Sequence, residues 1–182
     1  MREIALNILD IVENSVKAEA KSVKIEVLAE REFLTVRISD DGKGMSREFL
    51  ARVTDPFATT RTTRKVGMGI PFFKEAAEVT GGRFNITSEL GVGTTTEAVF
   101  FIDSIDREPL GDIADTLTTL LSDCENVDYI LVYKVEQREF IFDTRELKAQ
   151  LNGISISEPE ILQTIREFLK DNINNTNGGA IL

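Results

Sequence analysis

Four short stretches in the first hundred residues carry side chains that could do chemistry, and their order matters as much as their content. In DIVENSVKAEA, the residues Asp10, Glu13, Asn14 and Lys17 lie three or four positions apart, so one side of a helix would present two carboxylates, an amide and an ammonium. Such a face is ordinarily a solvated one. It could instead offer oxygen to magnesium, which accepts few protein ligands and keeps waters and phosphate oxygens, with Lys17 placed one turn on to meet a phosphate. In SDDGKGM, Asp40 is followed by Gly42 and Gly44. These residues make tight turns in many proteins. A carboxylate fixed at a strand end can also accept from an exocyclic amine such as adenine's, and glycines there would let a flat base approach the backbone. The spacing matches no EF-hand loop.

The third stretch, FATTRTTRKVGMGI from Phe57 to Ile70, holds three cations (Arg61, Arg64, Lys65), four threonines and two glycines (Gly67, Gly69), with no carboxylate between Asp55 and Glu75. A loop with scattered cations would have this composition. So would a phosphate cradle, because glycine nests and helix N-termini point unpaired N–H groups outward. It is not a Walker P-loop, since G-x-x-x-x-G-K-[ST] does not occur. The fourth, GVGTTTEAVF, places Gly91, Gly93 and Thr94 ahead of a strand pattern and by itself reads as a hairpin turn. Taken in order, the four supply a metal ligand, an adenine acceptor, a phosphate cradle and a closing turn.

Composition narrows the chemistry. The chain has 182 residues, one cysteine and no histidine, so it can form no intramolecular disulfide, no Cys/His zinc site and no Ser-His-Asp apparatus, and it holds no histidine that could accept a phosphoryl group. The formal net charge is -10, unevenly spread: residues 1–102 hold 15 acids against 14 bases, residues 103–182 hold 16 against 7. That balance argues against a nucleic-acid surface, which needs clustered Lys and Arg. No apolar run is long enough to cross a bilayer, and the opening MREIALNILDIVENS carries acids within its apolar pattern, unlike a signal or transit peptide. A cytoplasmic location is the expectation.

The elements that must position these residues follow from periodicity. Ile4, Ile8, Ile11, Val12 and Val16 recur at helical spacing, whereas Val23, Ile25, Val27 and then Leu34, Val36, Ile38 alternate as two strands of a hairpin. SREFLARV reads as a short helix capped by Ser46, and PFFKEAAEV as a helix with Pro71 in its first turn, ended by Gly81 and Gly82. RFNITSE and TTTEAVFFI read as strands. The pattern predicts an α+β fold: a two-layer sandwich of a mixed, mostly antiparallel sheet with helices on one face. Residues 103–182 read as a smaller α/β extension, with a helix near Ile113 to Leu121, a hairpin of ILVYKV and REFIFD, and a helix near Glu160 to Leu169. The polar tail NINNTNGGAIL is expected to fray.

The ordered set over residues 4–102 resembles the GHKL superfamily, the Bergerat-fold ATP-binding domains of gyrase, MutL and histidine kinases. By that resemblance Asn14 is the magnesium-binding asparagine, Asp40 with Gly42 and Gly44 the adenine-reading DxGxG, Gly67 and Gly69 the second glycine box, and Gly91, Gly93 and Thr94 the last G-x-G-T. The stretch between would be an ATP lid, its cations folding over the triphosphate. DPFATTR looks most like histidine kinases, IVENSVKAEA equally like MutL. Two positions depart from the family: Lys65 stands where kinases usually have glycine, and Asp10, one methylene shorter, stands where hydrolysing members place a general-base glutamate. Asp10 and Glu13 are the expected catalytic carboxylates.

The resemblance implies a Mg-ATP-binding, histidine-kinase-like module, residues 1–102, that phosphorylates or regulates a partner protein in trans. The alternatives are an ATP-gated binding switch without significant turnover and a slow ATPase of MutL type. The acidity of residues 103–182 would suit a partner-docking or dimerisation surface, and equally a solvated structural extension.

Overall fold

The computed structural model describes residues 3–54 and 68–182. Six strands form one sheet in the order β3-β4-β2-β1-β5-β6. Helix α1 (Ile4–Lys17) leads into β1 (Ser22–Glu30) and β2 (Phe33–Asp40), then α2 (Arg47–Leu50). Helix α3 (Gly69–Glu78) precedes β3 (Arg83–Glu89) and β4 (Gly93–Phe101). After these come α4 (Ile113–Asp123), β5 (Asp128–Val135), β6 (Arg138–Asp143), α5 (Thr144–Gln150) and α6 (Pro159–Asn177).

Each strand alternates because one face is covered and the other is not. Val23, Ile25, Val27 and Ala29 of β1, Leu34, Val36 and Ile38 of β2, and Tyr129, Leu131, Tyr133 and Val135 of β5 are all buried beneath the helices. Ile4, Ile8, Ile11 and Val12 of α1 meet them with a stripe at helical spacing. Phe73 of α3 is fully buried, its ring 6.0 Å from Phe100 and 6.2 Å from Phe84. On the opposite face, Arg37 donates to Glu97 at 2.6 Å and pairs with Glu26 at 3.5 Å, a line of charge across three neighbouring strands. The architecture is α+β, with all strand pairs antiparallel except one.

That exception is β5, which runs parallel to β1 over Ser22–Ala29. The strands read from ILVYKV and REFIFD therefore continue the sheet that the first hundred residues build, and the core is a single cluster from Ile4 to Leu169. Helix α4 packs on α6, where Arg166 holds the Asp115 carboxylate through two nitrogens and Lys170 reaches both Asp112 and Asp115. Residues 172–177 of the tail expected to fray are helical. Thr176 is buried, the Tyr133 hydroxyl donates to Asn177 Oδ1 at 2.7 Å, and Arg138 donates to the Thr176 and Asn177 carbonyls at 2.7 and 2.9 Å. Long-range partners satisfy carbonyls that a helix end would otherwise leave to water.

The chain has two tyrosines and no tryptophan, and both tyrosines lie in β5. Tyrosine fluorescence therefore reports this strand while far-ultraviolet circular dichroism reports every element. In urea the two signals are expected to fall together, and Leu131→Ala to lower the shared midpoint by an amount equivalent to about 2–5 kcal/mol. Separate transitions would show that β5 and β6 unfold independently of the rest.

Candidate functional site

The site is assembled where β2 ends beneath α1. Asp40 closes β2, and both of its carboxylate oxygens are held. Ser15 Oγ donates to Oδ2 at 2.6 Å, and the Gly42 N–H donates to Oδ1 at 2.9 Å. Ser15 itself is buried in α1, one residue after Asn14. The adjoining aspartate does different work: Asp41 Oδ1 accepts from the Lys21 and Ser22 N–H groups at 2.7 and 2.9 Å, tying the start of β1 to the end of β2.

Three glycines set the clearances. A Cβ at Gly42 would lie 2.8 Å from the Ala18 carbonyl oxygen, so the turn after Asp40 lies against the C-terminus of α1, where the Lys43 N–H also donates to Ala18 at 2.9 Å. Gly44 has φ +65° and a Cβ there would fall 2.0 Å from the Glu89 carbonyl oxygen. Gly93 has φ +142°, and its Cβ would fall 2.0 Å from the Asp40 carbonyl oxygen. No side chain fits at such separations. The 41–45 turn and the β3–β4 hairpin are thereby interlocked, with the Gly91 N–H donating to the Lys43 carbonyl at 2.8 Å.

Thr94 is the cross-strand partner of Asp40. Its hydroxyl lies 2.9 Å from Ser88 Oγ, which donates to the Gly93 carbonyl at 3.0 Å and accepts from the Met45 N–H at 2.8 Å. A serine hydroxyl has one hydrogen, so Ser88 accepts from Thr94.

On α1, Lys17 pairs with Glu13 at 3.0 Å, an exposed contact within one helix turn. Asn14 is half-buried and its amide has no hydrogen-bond partner among the described residues. Asp10 faces α3, where a Cβ on Gly69 would come 2.9 Å from the Asp10 Cβ, so the absence of a side chain at 69 is what lets the two helices close at this point. Partial burial, first, and the Glu13 carboxylate, second, push the Asp10 carboxyl above its ordinary value, while Lys17 pulls it down. The structure thus brings together Asp10, Glu13, Asn14 and Lys17 on one helix, with Asp40, Gly42, Gly44 and Thr94 at the strand ends below it and Gly69 against Asp10. Arg61, Arg64, Lys65 and Gly67 lie outside the described residues.

Among the described residues no group of three or more acidic, cysteine or histidine side chains is placed to hold a metal, and no helix is long and apolar enough to cross a membrane. Cavities among the described residues lie elsewhere. One of about 310 Å³ sits between the start of α4 and the end of α6, and another of about 390 Å³ opens on the uncovered face of the sheet around Thr35 and Val99.

Residues 2–104 match the family described as histidine kinase-, DNA gyrase B-, and HSP90-like ATPase. The chain belongs to this family. Among similar proteins, the sensor histidine kinase AruS of Pseudomonas aeruginosa is 30% identical over 103 residues, covering 52% of this chain and 10% of that protein. The adaptive-response sensory kinase SasA of Prochlorococcus marinus is 32% identical over 102 residues, covering 52% of this chain and 26% of that one. These matches span 10% and 26% of the curated relatives' length. The Aquifex aeolicus MutL ATPase domain, solved with ADP, shares the fold at a TM-score of 0.53 and 14% identity, over 76% of this chain and 62% of that one.

Ser15 and Ser88 were not singled out from the sequence. Ser15 had one signal: it continues the apolar stripe Ile8, Ile11, Val12 at helical phase, and a hydroxyl on a buried stripe needs a partner. Ser88 had none, because its partners are set by strand pairing.

The glycine clearances predict unequal costs. Gly91 has φ +79° but open space around its missing Cβ, so Gly91→Ala is expected to cost about 1–2 kcal/mol from backbone conformation alone. Gly93→Ala adds a clash with the Asp40 backbone and is expected to lower the thermal midpoint clearly further. Equal midpoints for the two variants, read by circular dichroism, would contradict the interlock.

Proposed function

We propose that this chain is a Mg-ATP-binding module of histidine-kinase type that phosphorylates or regulates a partner protein in trans. The observation that carries the reading is the Asp40 carboxylate, held by Ser15 and Gly42 beneath the helix that bears Asn14, within a stretch matching the ATPase family. In this reading Asp40 accepts from the adenine amine, with Gly42 and Gly44 giving the base access to the backbone. Thr94 lines the same strand end. Lys17, Arg61, Arg64 and Lys65, with the N–H groups of Gly67 and Gly69, would meet the phosphates.

Asn14 suits magnesium because its amide oxygen has no competing partner among the described residues and because the ion accepts few protein ligands. Held there, magnesium would supply positive charge that offsets that of the phosphates. Phosphoryl transfer is largely positioning and electrostatic stabilisation, so the nucleophile can come from another protein. This chain contains no histidine to serve. The acidic residues 103–182 are the proposed docking or dimerisation surface, and the overall acidity disfavours nucleic acid as the partner.

The second reading, an ATP-gated switch with little turnover, is favoured by Asp10. A water-activating base must reach its proton while deprotonated. Asp10 is a methylene shorter than glutamate, and its carboxyl holds its proton to higher pH than an ordinary aspartate. A slow MutL-type ATPase is the third reading, in which Asp10 and Glu13 are the working carboxylates.

Calorimetric titration with ATP should give binding that Asp40→Ala weakens at least about 100-fold, the loss of a buried hydrogen-bonded anchor. Asn14→Ala should remove the part of the affinity that depends on magnesium. Label from γ-labelled ATP appearing on an added partner supports the kinase, free phosphate the ATPase, and binding with neither the switch. If phosphate is released, the rate should fall as pH drops through a value above the usual aspartate range, because Asp10 must lose its proton to act as base. Asp10→Asn should abolish that release while sparing binding. No ATP binding by the wild-type chain would overturn the proposal.

A further inference from the structure

We propose that Ser15 is a positioning residue for base selection: by holding Asp40 it makes the strand end favour a 6-amino purine over a 6-oxo purine. The inference rests on the nucleotide-binding reading above and assigns a part in it to the residue that follows Asn14.

Ser15 is 3% exposed, and its Oγ lies 2.6 Å from Asp40 Oδ2 and 3.4 Å from the Ile11 carbonyl. One hydroxyl hydrogen must choose between them. The shorter contact leads to a carboxylate, the stronger acceptor, so the hydrogen lies on the Asp40 side. With the Gly42 N–H on Oδ1, each oxygen of Asp40 has one direction filled by a protein donor. The carboxyl plane cannot rotate without breaking both bonds, and what remains for a ligand is acceptor only.

Thr94, across the strand pair, has the same polarity. Because Ser88 gives its hydrogen to Gly93, the Thr94 hydrogen goes to Ser88, leaving Thr94 with lone pairs on its open side. The Asp40 carboxylate, left as an acceptor, suits a purine that presents N–H at the 6-position, with Thr94 beside it on the neighbouring strand. A purine with oxygen at the 6-position would set acceptor against acceptor, and a site built to hydrogen-bond one group rejects the analogue lacking it because its own polar atoms are left unpaired. Asp41 is engaged elsewhere, its Oδ1 accepting from the N–H groups of Lys21 and Ser22 at the start of β1.

The test is calorimetric titration of ATP and of inosine triphosphate, each with magnesium, into wild type, Ser15→Ala and Ser15→Thr, with circular dichroism to compare folding. Wild type is expected to prefer ATP by about 100-fold. Ser15→Ala should lose about tenfold in ATP affinity with little change for inosine triphosphate, narrowing the preference by the same factor. Ser15→Thr, which keeps the hydroxyl, should restore it. If Ser15→Ala proves unstable, Ser15→Cys, similar in size and a weak donor, should move the ratio in the same direction. A folded alanine or cysteine variant whose two affinities are unchanged, or fall by one common factor, would overturn the role of Ser15 while leaving nucleotide binding intact. A wild-type chain that binds neither nucleotide would overturn the binding reading and this inference with it.

Discussion

The close approach of two backbones at the end of the sheet is the constraint on which the site depends. Gly93 lies so near the Asp40 carbonyl, and Gly44 so near that of Glu89, that a single added carbon at either position would overlap main-chain atoms. Because the contacts are backbone to backbone, they position Asp40 and Thr94 through the main chain and not through adjustable rotamers. The two side chains therefore inherit the rigidity of the strand pairing. Glycine in this structure is a spacing element, and its freedom at positive φ is only part of its use.

The strand that carries Asp40 is supported from both sides. Thr94 of β4 pairs with Asp40 on one side and Val23 of β1 on the other, and Val23 pairs in turn with Tyr129 of β5. One lateral row thus runs from the C-terminal half of the chain to the site. The junction is reinforced off the row, where Asp41 holds the N–H groups of Lys21 and Ser22 while the Asp128 N–H donates to the Lys21 carbonyl at 2.8 Å. Parallel addition of β5 converts β1 from an edge to an interior strand, which removes the exposure of its unpaired backbone groups. Part of the net acidity beyond residue 103 is spent internally in the same region, in pairs such as Asp115 with Arg166 and Asp128 with Lys148.

Local chemistry was legible in the sequence and non-local geometry was not. The helix bearing Asn14, the strand ending at Asp40, the Ser46 cap and the β3–β4 hairpin follow from periodicity and turn residues, and the structure has them where expected. The neighbour relation of β1 and β5 could not be read, because more than a hundred residues separate the partners and a parallel pair leaves no turn signature between them. Helix α5 is too short for its periodicity to stand out. Helix α6 outran its apolar pattern because Tyr133 and Arg138, both on strands, bind its last turn. At the site, charged and glycine residues announced themselves by type, whereas Ser15 and Ser88 matter only through partners 25 and 6 residues away.

Asp10 illustrates how one packing decision reaches the chemistry. Its closeness to Gly69 means that the start of α3 can lie against α1 only because position 69 lacks a side chain, so Gly69 sets an interhelical distance. That closeness also withdraws water from one side of the carboxyl, and with Glu13 three residues on, the charged form is disfavoured twice. Lys17, placed to oppose this, is engaged with Glu13. The arrangement that draws α3 onto α1 thus bears on the protonation of a carboxyl that faces it, a physical link between helix packing and the charge of the α1 face.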